Sequence, residues 1–208
     1  MPRVDISPQS LCLCLSVVGL DGMTVLGGTL PSEWTSMTRL RSLSLSLNGP
    51  GYYGFLPSAW SSLAGLQYLS ISNGSFMGGL PAEWAKHYNL KELRLQNITV
   101  DRFSTLPTIW AQNMVALGTL VLEDVRGVSG PLPSSWLVSY RNLTVLHIKL
   151  MPALNITVDQ ISSLMQAENL GGLEDLVVEG CNVTGNIPAI AGRLVEHLPS
   201  SLGSMPHT

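Results

Sequence analysis

All five tryptophans of this chain stand in one repeating frame. Successive tryptophans are separated by 26, 24, 26 and 26 residues, and each comes three residues after the proline of a Leu-Pro pair. They are Trp34, Trp60, Trp84, Trp110 and Trp136. Self-similarity at a fixed period of this length is typical of proteins built from stacked units. The chain is therefore expected to be an array of coils.

A triplet of aliphatic residues, spaced L-x-x-L-x-L, follows each tryptophan by six or seven residues. The triplets are Leu40/Leu43/Leu45, Leu66/Leu69/Ile71, Leu90/Leu93/Leu95, Leu117/Leu120/Leu122 and Leu143/Leu146/Ile148, and two more without a tryptophan are Leu15/Val18/Leu20 and Leu173/Leu176/Val178. Side chains alternate along a strand, so the last two members of each triplet face the same way. One such strand cannot bury its apolar row, whereas stacked strands share a continuous core.

The Leu-Pro pairs predict where each strand has ended and the chain has turned. Proline has no N–H and cannot continue a parallel ladder, so the chain must return along the far side of the coil. We expect the tryptophans to fill the core from that side, with a ligand-stacking row of indoles as the alternative. Between the last two triplets, Val158, Ile161, Leu164 and Met165 have helical spacing and predict a helix of two or three turns.

The repeat resembles a leucine-rich repeat. We predict an α/β solenoid, a right-handed leucine-rich-repeat superhelix with a concave parallel sheet of about seven strands and an irregular or 3-10 convex side. Residues 1–10 are expected to be an extension, 11–190 about seven repeats of 24–30 residues, and 191–208 a disordered tail. The apolar stretch 11–20 fits the repeat frame as a buried strand, and a signal-peptide core is the alternative.

Two motifs connect the sequence to a narrower family. Gly28-Thr-Leu-Pro-Ser-Glu-Trp34 and Gly79-Leu-Pro-Ala-Glu-Trp84 resemble the repeats of kinetoplastid promastigote surface antigens and related proteophosphoglycans. Gly185-Asn-Ile-Pro188 is similar to plant-type repeats. The resemblance covers residues 11–190. It implies an extracellular repeat domain, often lipid-anchored in that family, which binds host or matrix proteins.

The N-x-S/T motif occurs five times and predicts a glycoprotein that is secreted or displayed on the cell surface. Its asparagines are Asn73, Asn97, Asn142, Asn155 and Asn182. Chance combined with Thr-rich turns is the alternative explanation, and Asn142 is expected to be crowded because it directly precedes a core leucine. The three cysteines, Cys12, Cys14 and Cys181, leave at least one thiol without an intrachain partner, and Cys181 is expected to be buried.

The outward positions of the strands predict a binding surface. If the triplets align, the residues between the leucines form three rows on the concave face, Ser-rich in the N-terminal half and charged in the centre. Tyrosine and arginine are common anchors in protein interfaces. We predict that a protein or glycan partner binds at Tyr68, Glu92, Arg94, Thr119, Glu123 and His147. An ordinary solvated sheet face is the alternative.

Composition and motifs argue against other classes of function. The net charge is −3 and there is no basic run, so nucleic-acid binding is not expected. Nucleophile-elbow, phosphate-loop and zinc-protease motifs are absent from the sequence, so we expect no enzyme, no cofactor and no metal site. No stretch is long enough to span a membrane. An intracellular scaffold or regulatory repeat protein and a truncated, non-functional gene copy are the remaining alternatives.

Overall fold

The computed structural model of the chain describes residues 16–20, 29–47, 54–166 and 172–185. Seven parallel strands form the main sheet. They are β1 (Val17–Leu20), β2 (Ser42–Ser46), β3 (Tyr68–Ser75), β4 (Glu92–Ser104), β5 (Thr119–Val128), β7 (Val145–Lys149) and β9 (Asp175–Glu179). A smaller parallel sheet contains β6 (Gly130–Pro131), β8 (Leu154–Thr157) and β10 (Asn182–Thr184). The predicted extension 1–10, the tail 191–208, Cys12 and Cys14 lie outside the described residues.

The main sheet follows the order of the chain. Its strand order is β1-β2-β3-β4-β5-β7-β9, and every neighbouring pair is parallel. The register places equivalent triplet members side by side, for example Leu69 beside Leu93 and Leu93 beside Leu120. A slip of one residue would turn every leucine to solvent, so the triplets fix the register. The predicted solenoid with about seven strands is confirmed.

The convex side consists of short helices. Three 3-10 helices, Ser32–Ser36, Ser58–Ser62 and Ala82–Lys86, each begin directly after the proline of a Leu-Pro pair. The next two coils have α1 (Ile109–Asn113) and α2 (Trp136–Ser139) in the same place. These prolines are the N-cap residues and have extended backbone, with φ between −68° and −65° and ψ between 110° and 121°, which the proline ring favours. The expected irregular or 3-10 convex side is therefore confirmed.

The predicted longer helix is α3 (Val158–Gln166). Thr157 and Gln160 form a reciprocal pair of hydrogen bonds at its start. The Gln160 N–H donates to Thr157 Oγ1 at 3.1 Å, and the Thr157 N–H donates to Gln160 Oε1 at 3.0 Å. Such a capping box satisfies two amide groups that the first turn of a helix leaves without partners. The helix replaces the short turn of the other coils, in agreement with the spacing of its apolar residues.

The five indoles form one continuous stack inside the solenoid. Each is at most 1% exposed. Neighbouring ring centroids lie 5.6 to 6.5 Å apart, and the ring planes differ by at most 14°. From Trp60 onward each indole N–H donates to the carbonyl of the Leu-Pro proline one coil earlier, at 2.8 to 3.2 Å. A stack buried in this way offers no surface on which a ligand could lie.

Tyr140 closes the stack where the next coil has no tryptophan. Its ring meets Trp136 edge to face, with centroids 5.6 Å apart and an interplanar angle of 71°. The hydroxyl is buried and has no hydrogen-bond partner among the described residues, and burial raises the pKa of Tyr140. The Tyr140 side chain therefore contributes to the stack through its ring, which makes an edge-to-face contact of the kind that aromatic pairs favour.

A column of left-handed backbone crosses the main sheet, and the sequence pattern did not predict it. Its members have φ between 50° and 64°, and each lies two residues after the last apolar member of its triplet. They are Asn73, Asn97, Asp124, Leu150 and Gly180. Asn, Asp and Gly adopt this conformation readily, whereas a leucine does so at a cost. Leu150 is therefore the strained member of the column.

His87 is the one imidazole in a second buried row beside the indoles. Met37, Leu63, Met114 and Tyr140 hold the equivalent place in the other coils. The His87 side chain is fully buried, and neither ring nitrogen has a hydrogen-bond partner among the described residues. Burial lowers the pKa of His87 from its ordinary 6.5 to about 4, and the nearby Leu63 carbonyl opposes this shift only in part. The folded chain consequently keeps this imidazole neutral down to about pH 4.

Substituting His87→Met is expected to remove an acid sensitivity of the fold. The unfolded chain protonates near pH 6.5 but the folded chain only near 4. Neutral His87 therefore contributes fully to the free energy of unfolding above pH 6.5, and this contribution is lost as the pH falls toward 4. Between pH 7 and pH 5 the free energy of unfolding should fall by about 2 kcal/mol on account of this residue. Urea unfolding at both pH values checks this. The variant should lose less stability on acidification than the wild type, and equal losses would contradict the expectation.

Candidate functional site

The register of the main sheet assembles the predicted concave face. The first outward row is Val17, Ser42, Tyr68, Glu92, Thr119, Val145 and Asp175. The middle row is Gly19, Ser44, Ser70, Arg94, Val121, His147 and Val177, and the third is Ser46, Ser72, Gln96, Glu123, Lys149 and Glu179. All six side chains predicted to bind a partner therefore start from one face, on four neighbouring strands.

The N-terminal half of this face is rich in serine hydroxyl groups and is bordered by the ring of Tyr68. Ser42, Ser44 and Ser46 on β2 lie beside Tyr68, Ser70 and Ser72 on β3. Tyr68 is 42% exposed and stands next to Glu92, the first charged residue of its row. It is therefore the large amphipathic side chain at the boundary between the hydroxyl half and the charged half.

The charged half is organised in pairs. Arg94 Nε donates to Glu92 Oε1 along β4, and both side chains are about one-third exposed. Gln96 Nε2 donates to Glu123 Oε2 in the next coil at 2.8 Å. Exposed ion pairs contribute little to stability. Their relevance here is that they hold polar groups in fixed positions, which lowers the entropic cost of binding.

His147 forms a third pair at the C-terminal side of the face. Its Nε2 lies 2.7 Å from Asp175 Oδ2 on β9. Among the described outward residues there are four carboxylates, Glu92, Glu123, Asp175 and Glu179, and two permanent cations, Arg94 and Lys149. Over these residues the face therefore has an excess of two negative charges when His147 is neutral, and it favours ligands with basic groups.

Val121 is a buried member of the middle outward row. It lies in an outward row, yet it is 2% exposed and does not belong to the core cluster behind the sheet. Its neighbours in the middle row are Arg94 on one side and His147 on the other. The alternation of a strand gives the side to which a residue points, but burial there depends on the length of the neighbouring side chains. Val121 thus forms an apolar floor between two longer polar side chains.

The five sequon asparagines lie on three different parts of the solenoid. Asn73 and Asn97 follow the third row of the concave face, and Asn155 and Asn182 lie on the smaller sheet. Asn142 lies in the turn between α2 and β7 and is exposed rather than crowded, and its Nδ2 donates to the Val115 carbonyl at 2.6 Å. Asn89, which is not in a sequon, makes the equivalent bond to Ala64 at 2.9 Å. These asparagines consequently also connect neighbouring coils.

Cys181 is half-buried behind β9 and has no disulfide partner among the described residues. Its Sγ lies 3.7 Å from the carbonyl oxygens of Ile148 and Glu179. Burial raises the pKa of the Cys181 thiol, with a weaker opposing effect from the backbone at Met151. The protonated thiol is therefore favoured, and it packs against the core as a small apolar group.

The described part of the chain contains no cluster of three or more His, Cys, Asp or Glu side chains placed to hold a metal ion. In the same ranges, no helix combines the length and the apolar character needed to cross a bilayer. A groove of about 470 Å³ lies between the Leu-Pro turns around Phe55 and Leu80, and among the described residues that line it Glu83 is the one ionisable side chain.

The fold is that of a leucine-rich-repeat solenoid, and solved structures of plant receptors show the same architecture. The structure of PEPR1 with AtPEP1 is 27% identical, with a TM-score of 0.64 over 83% of this chain and 22% of that one. The Arabidopsis thaliana GASSHO1/SCHENGEN3 ectodomain in complex with CASPARIAN STRIP INTEGRITY FACTOR 2 is 22% identical, with a TM-score of 0.61 over 78% of this chain and 18% of that one.

A plant ice-binding protein has the same fold at 19% identity, with a TM-score of 0.56 over 77% of this chain and 55% of its own. This chain therefore spans about a fifth of each receptor ectodomain and about half of the ice-binding protein. No protein-family model matches the sequence. No curated protein matches it at a significant level. The likeness is one of architecture, and the assignment of a ligand has to come from the surface of this chain.

Proposed function

We propose that this chain is a non-catalytic recognition module that binds a protein or peptide ligand on its concave face, between Tyr68 and His147. The observation that carries the proposal is the arrangement of this face. An exposed tyrosine, an arginine and a histidine lie on one face within four neighbouring strands, and the arginine and the histidine are each already held in a pair with a carboxylate. Solved structures with this architecture include PEPR1-AtPEP1 and a receptor kinase ectodomain in complex with CASPARIAN STRIP INTEGRITY FACTOR 2.

We place the module outside the cell, secreted or on the cell surface. The Leu-Pro-x-Glu-Trp motif supports a relation to the kinetoplastid surface antigens. Four of the five sequon asparagines are exposed and Asn73 is half-buried, which is compatible with a glycoprotein. The neighbouring receptor structures are ectodomains. An intracellular scaffold is the alternative, and it is distinguished by the mobility of the native protein before and after enzymatic deglycosylation, which a cytosolic chain would leave unchanged.

A random peptide library displayed on phage tests the binding face without knowledge of the natural ligand. Peptides selected on the immobilised chain are titrated against Tyr68→Ala and Arg94→Ala. A central interface residue contributes about 2 kcal/mol or more, so each variant should weaken most selected peptides by about thirtyfold. Val138→Ser, an exposed apolar residue on the convex side, is the matched control and should leave them unchanged. Peptides sensitive only to Val138→Ser would refute the assignment of the face.

A further inference from the structure

Four of the five sequons lie side by side in two matched pairs. In the main sheet, Gly74 and Ser75 of Asn73-Gly-Ser75 pair with Ile98 and Thr99 of Asn97-Ile-Thr99. In the smaller sheet, Asn155-Ile-Thr157 pairs with Asn182-Val-Thr184 at all three positions. Asn142 is the fifth sequon and lies on another part of the solenoid. The repeat has thus placed pairs of potential acceptor asparagines on directly neighbouring parallel strands.

Within each pair the two amide groups contact each other. Asn97 Nδ2 donates to Asn73 Oδ1 at 2.7 Å, and Asn182 Nδ2 donates to Asn155 Oδ1 at 2.6 Å. Asn73 is held further by its own Nδ2, which donates to Ser46 Oγ at 3.2 Å and to Ser72 Oγ at 3.4 Å. The nitrogen that would carry a sugar is therefore close to the neighbouring asparagine in both pairs.

We propose that each of these pairs carries one N-linked glycan in the folded protein, so that the chain carries three glycans rather than five. Neighbouring strands are about 4.8 Å apart, which is narrower than a pyranose ring with its substituents. A glycosylated asparagine keeps one N–H on Nδ2, so a single glycan can be accommodated while the amide contact remains. Two glycans at one pair would collide and separate the amides. The inference rests on the proposed extracellular location.

The modification is a group transfer from a lipid-linked oligosaccharide diphosphate. The bond between the first sugar carbon and the diphosphate oxygen breaks, a bond from that carbon to Asn Nδ2 forms, and Nδ2 loses one proton. Transfer takes place on the extended chain, where both sequons of a pair are accessible. The pairing acts afterwards, because a chain modified at both positions cannot close the contact between the two coils. Of the modified pairs, only those with a single glycan are compatible with the folded solenoid.

This placement leaves the proposed ligand surface accessible. The smaller sheet and the Asn142 site lie apart from the three outward rows of the main sheet, and the Asn73–Asn97 pair borders only the end of the third row, beside Ser72 and Gln96. Tyr68, Glu92 and Thr119 lie in the first row, at the opposite edge of the face. One glycan at each pair is consistent with ligand access from that edge.

The test counts glycans on the secreted full chain. The chain is expressed behind a secretion signal in eukaryotic cells, the glycans are trimmed enzymatically to one N-acetylglucosamine per site, and the intact mass is measured. The wild type should carry three and Asn142→Gln two, one for each pair. Four or five sugars on the wild type, or any number other than two on Asn142→Gln, would overturn the proposal. A secreted protein with no sugar also overturns it.

Matched variants test whether the partner asparagine of each pair serves as the acceptor. Ser75→Ala and Thr184→Ala each remove one sequon from a pair but retain its asparagine, and both side chains are exposed. Each variant should still carry three glycans, because the partner asparagine is then the acceptor. A variant whose count falls to two would contradict the proposal. The peptide titration with Tyr68→Ala is independent of these counts, so the failure of one proposal is distinguishable from that of the other.

Discussion

Trp84→Ala is expected to lower the free energy of unfolding by about 3–5 kcal/mol, the range typical of a large aromatic side chain removed from a core. The indole is fully buried and stacks on Trp60 at 6.5 Å and on Trp110 at 6.3 Å. Its N–H also donates to the Pro57 carbonyl at 2.9 Å. The substitution therefore removes packing, two ring contacts and one bond between coils at the same point. Urea unfolding followed by circular dichroism measures the change.

Two variants show which part of this contribution belongs to which interaction. Trp84→Phe retains an aromatic ring in the stack but leaves the buried Pro57 carbonyl without the indole donor. It should lower the free energy of unfolding by about 1–3 kcal/mol, which is less than the loss in the alanine variant. Tyr88→Ala changes an exposed aromatic side chain in the same coil and should alter stability by no more than about 0.5 kcal/mol. If Trp84→Ala cost no more than Tyr88→Ala, the stack would not be a stabilising element.

The repeat pattern was sufficient to predict the main sheet because two independent periodicities agree in it. The triplets define which side chains face inward, and the Leu-Pro-x-x-Trp segment defines where the chain turns. With both fixed, Leu43, Leu69 and Leu93 have one consistent register. The smaller sheet was not predicted, since its strands β6 and β10 have only two and three residues and no apolar alternation long enough to recognise.

The candidate site was predictable in position but not in detail. Alternation along the strands was enough to place Tyr68, Arg94 and His147 on one face. The pairs that these side chains form depend on rotamers and on neighbours in other coils, as the contact of His147 with Asp175, 28 residues later, illustrates. The contact between Asn73 and Asn97 depends in addition on the left-handed backbone at both residues. Local sequence contains the type of residue but not this geometry.

The other large effect is expected at Gly127, which lies against a bulge in the preceding coil. The register of β4 with β5 shifts between Thr99 and Ser104, so β4 has extra residues there, and Phe103 projects from them with 84% of its surface exposed. The bulge is held by Asp101, whose N–H donates to the Gly78 carbonyl at 2.9 Å and whose Oδ2 accepts from the Gly78 N–H at 2.7 Å. Its backbone is consequently not free to move away from β5.

Gly127→Ala should therefore lower the free energy of unfolding by about 3–5 kcal/mol, because it combines backbone strain with steric overlap. Gly127 has a φ of 94°, which an alanine rarely adopts, and a Cβ there would overlap the Val100 carbonyl oxygen and lie 2.8 Å from that of Asp101. Gly130→Ala is the matched control. Its φ of 87° imposes a similar strain, but the Cβ would meet only Thr105 Cγ2 at 3.8 Å, so about 1–2 kcal/mol is expected. Equal losses in the two variants, measured by urea unfolding, would mean that the bulge yields and that backbone strain alone accounts for the glycine.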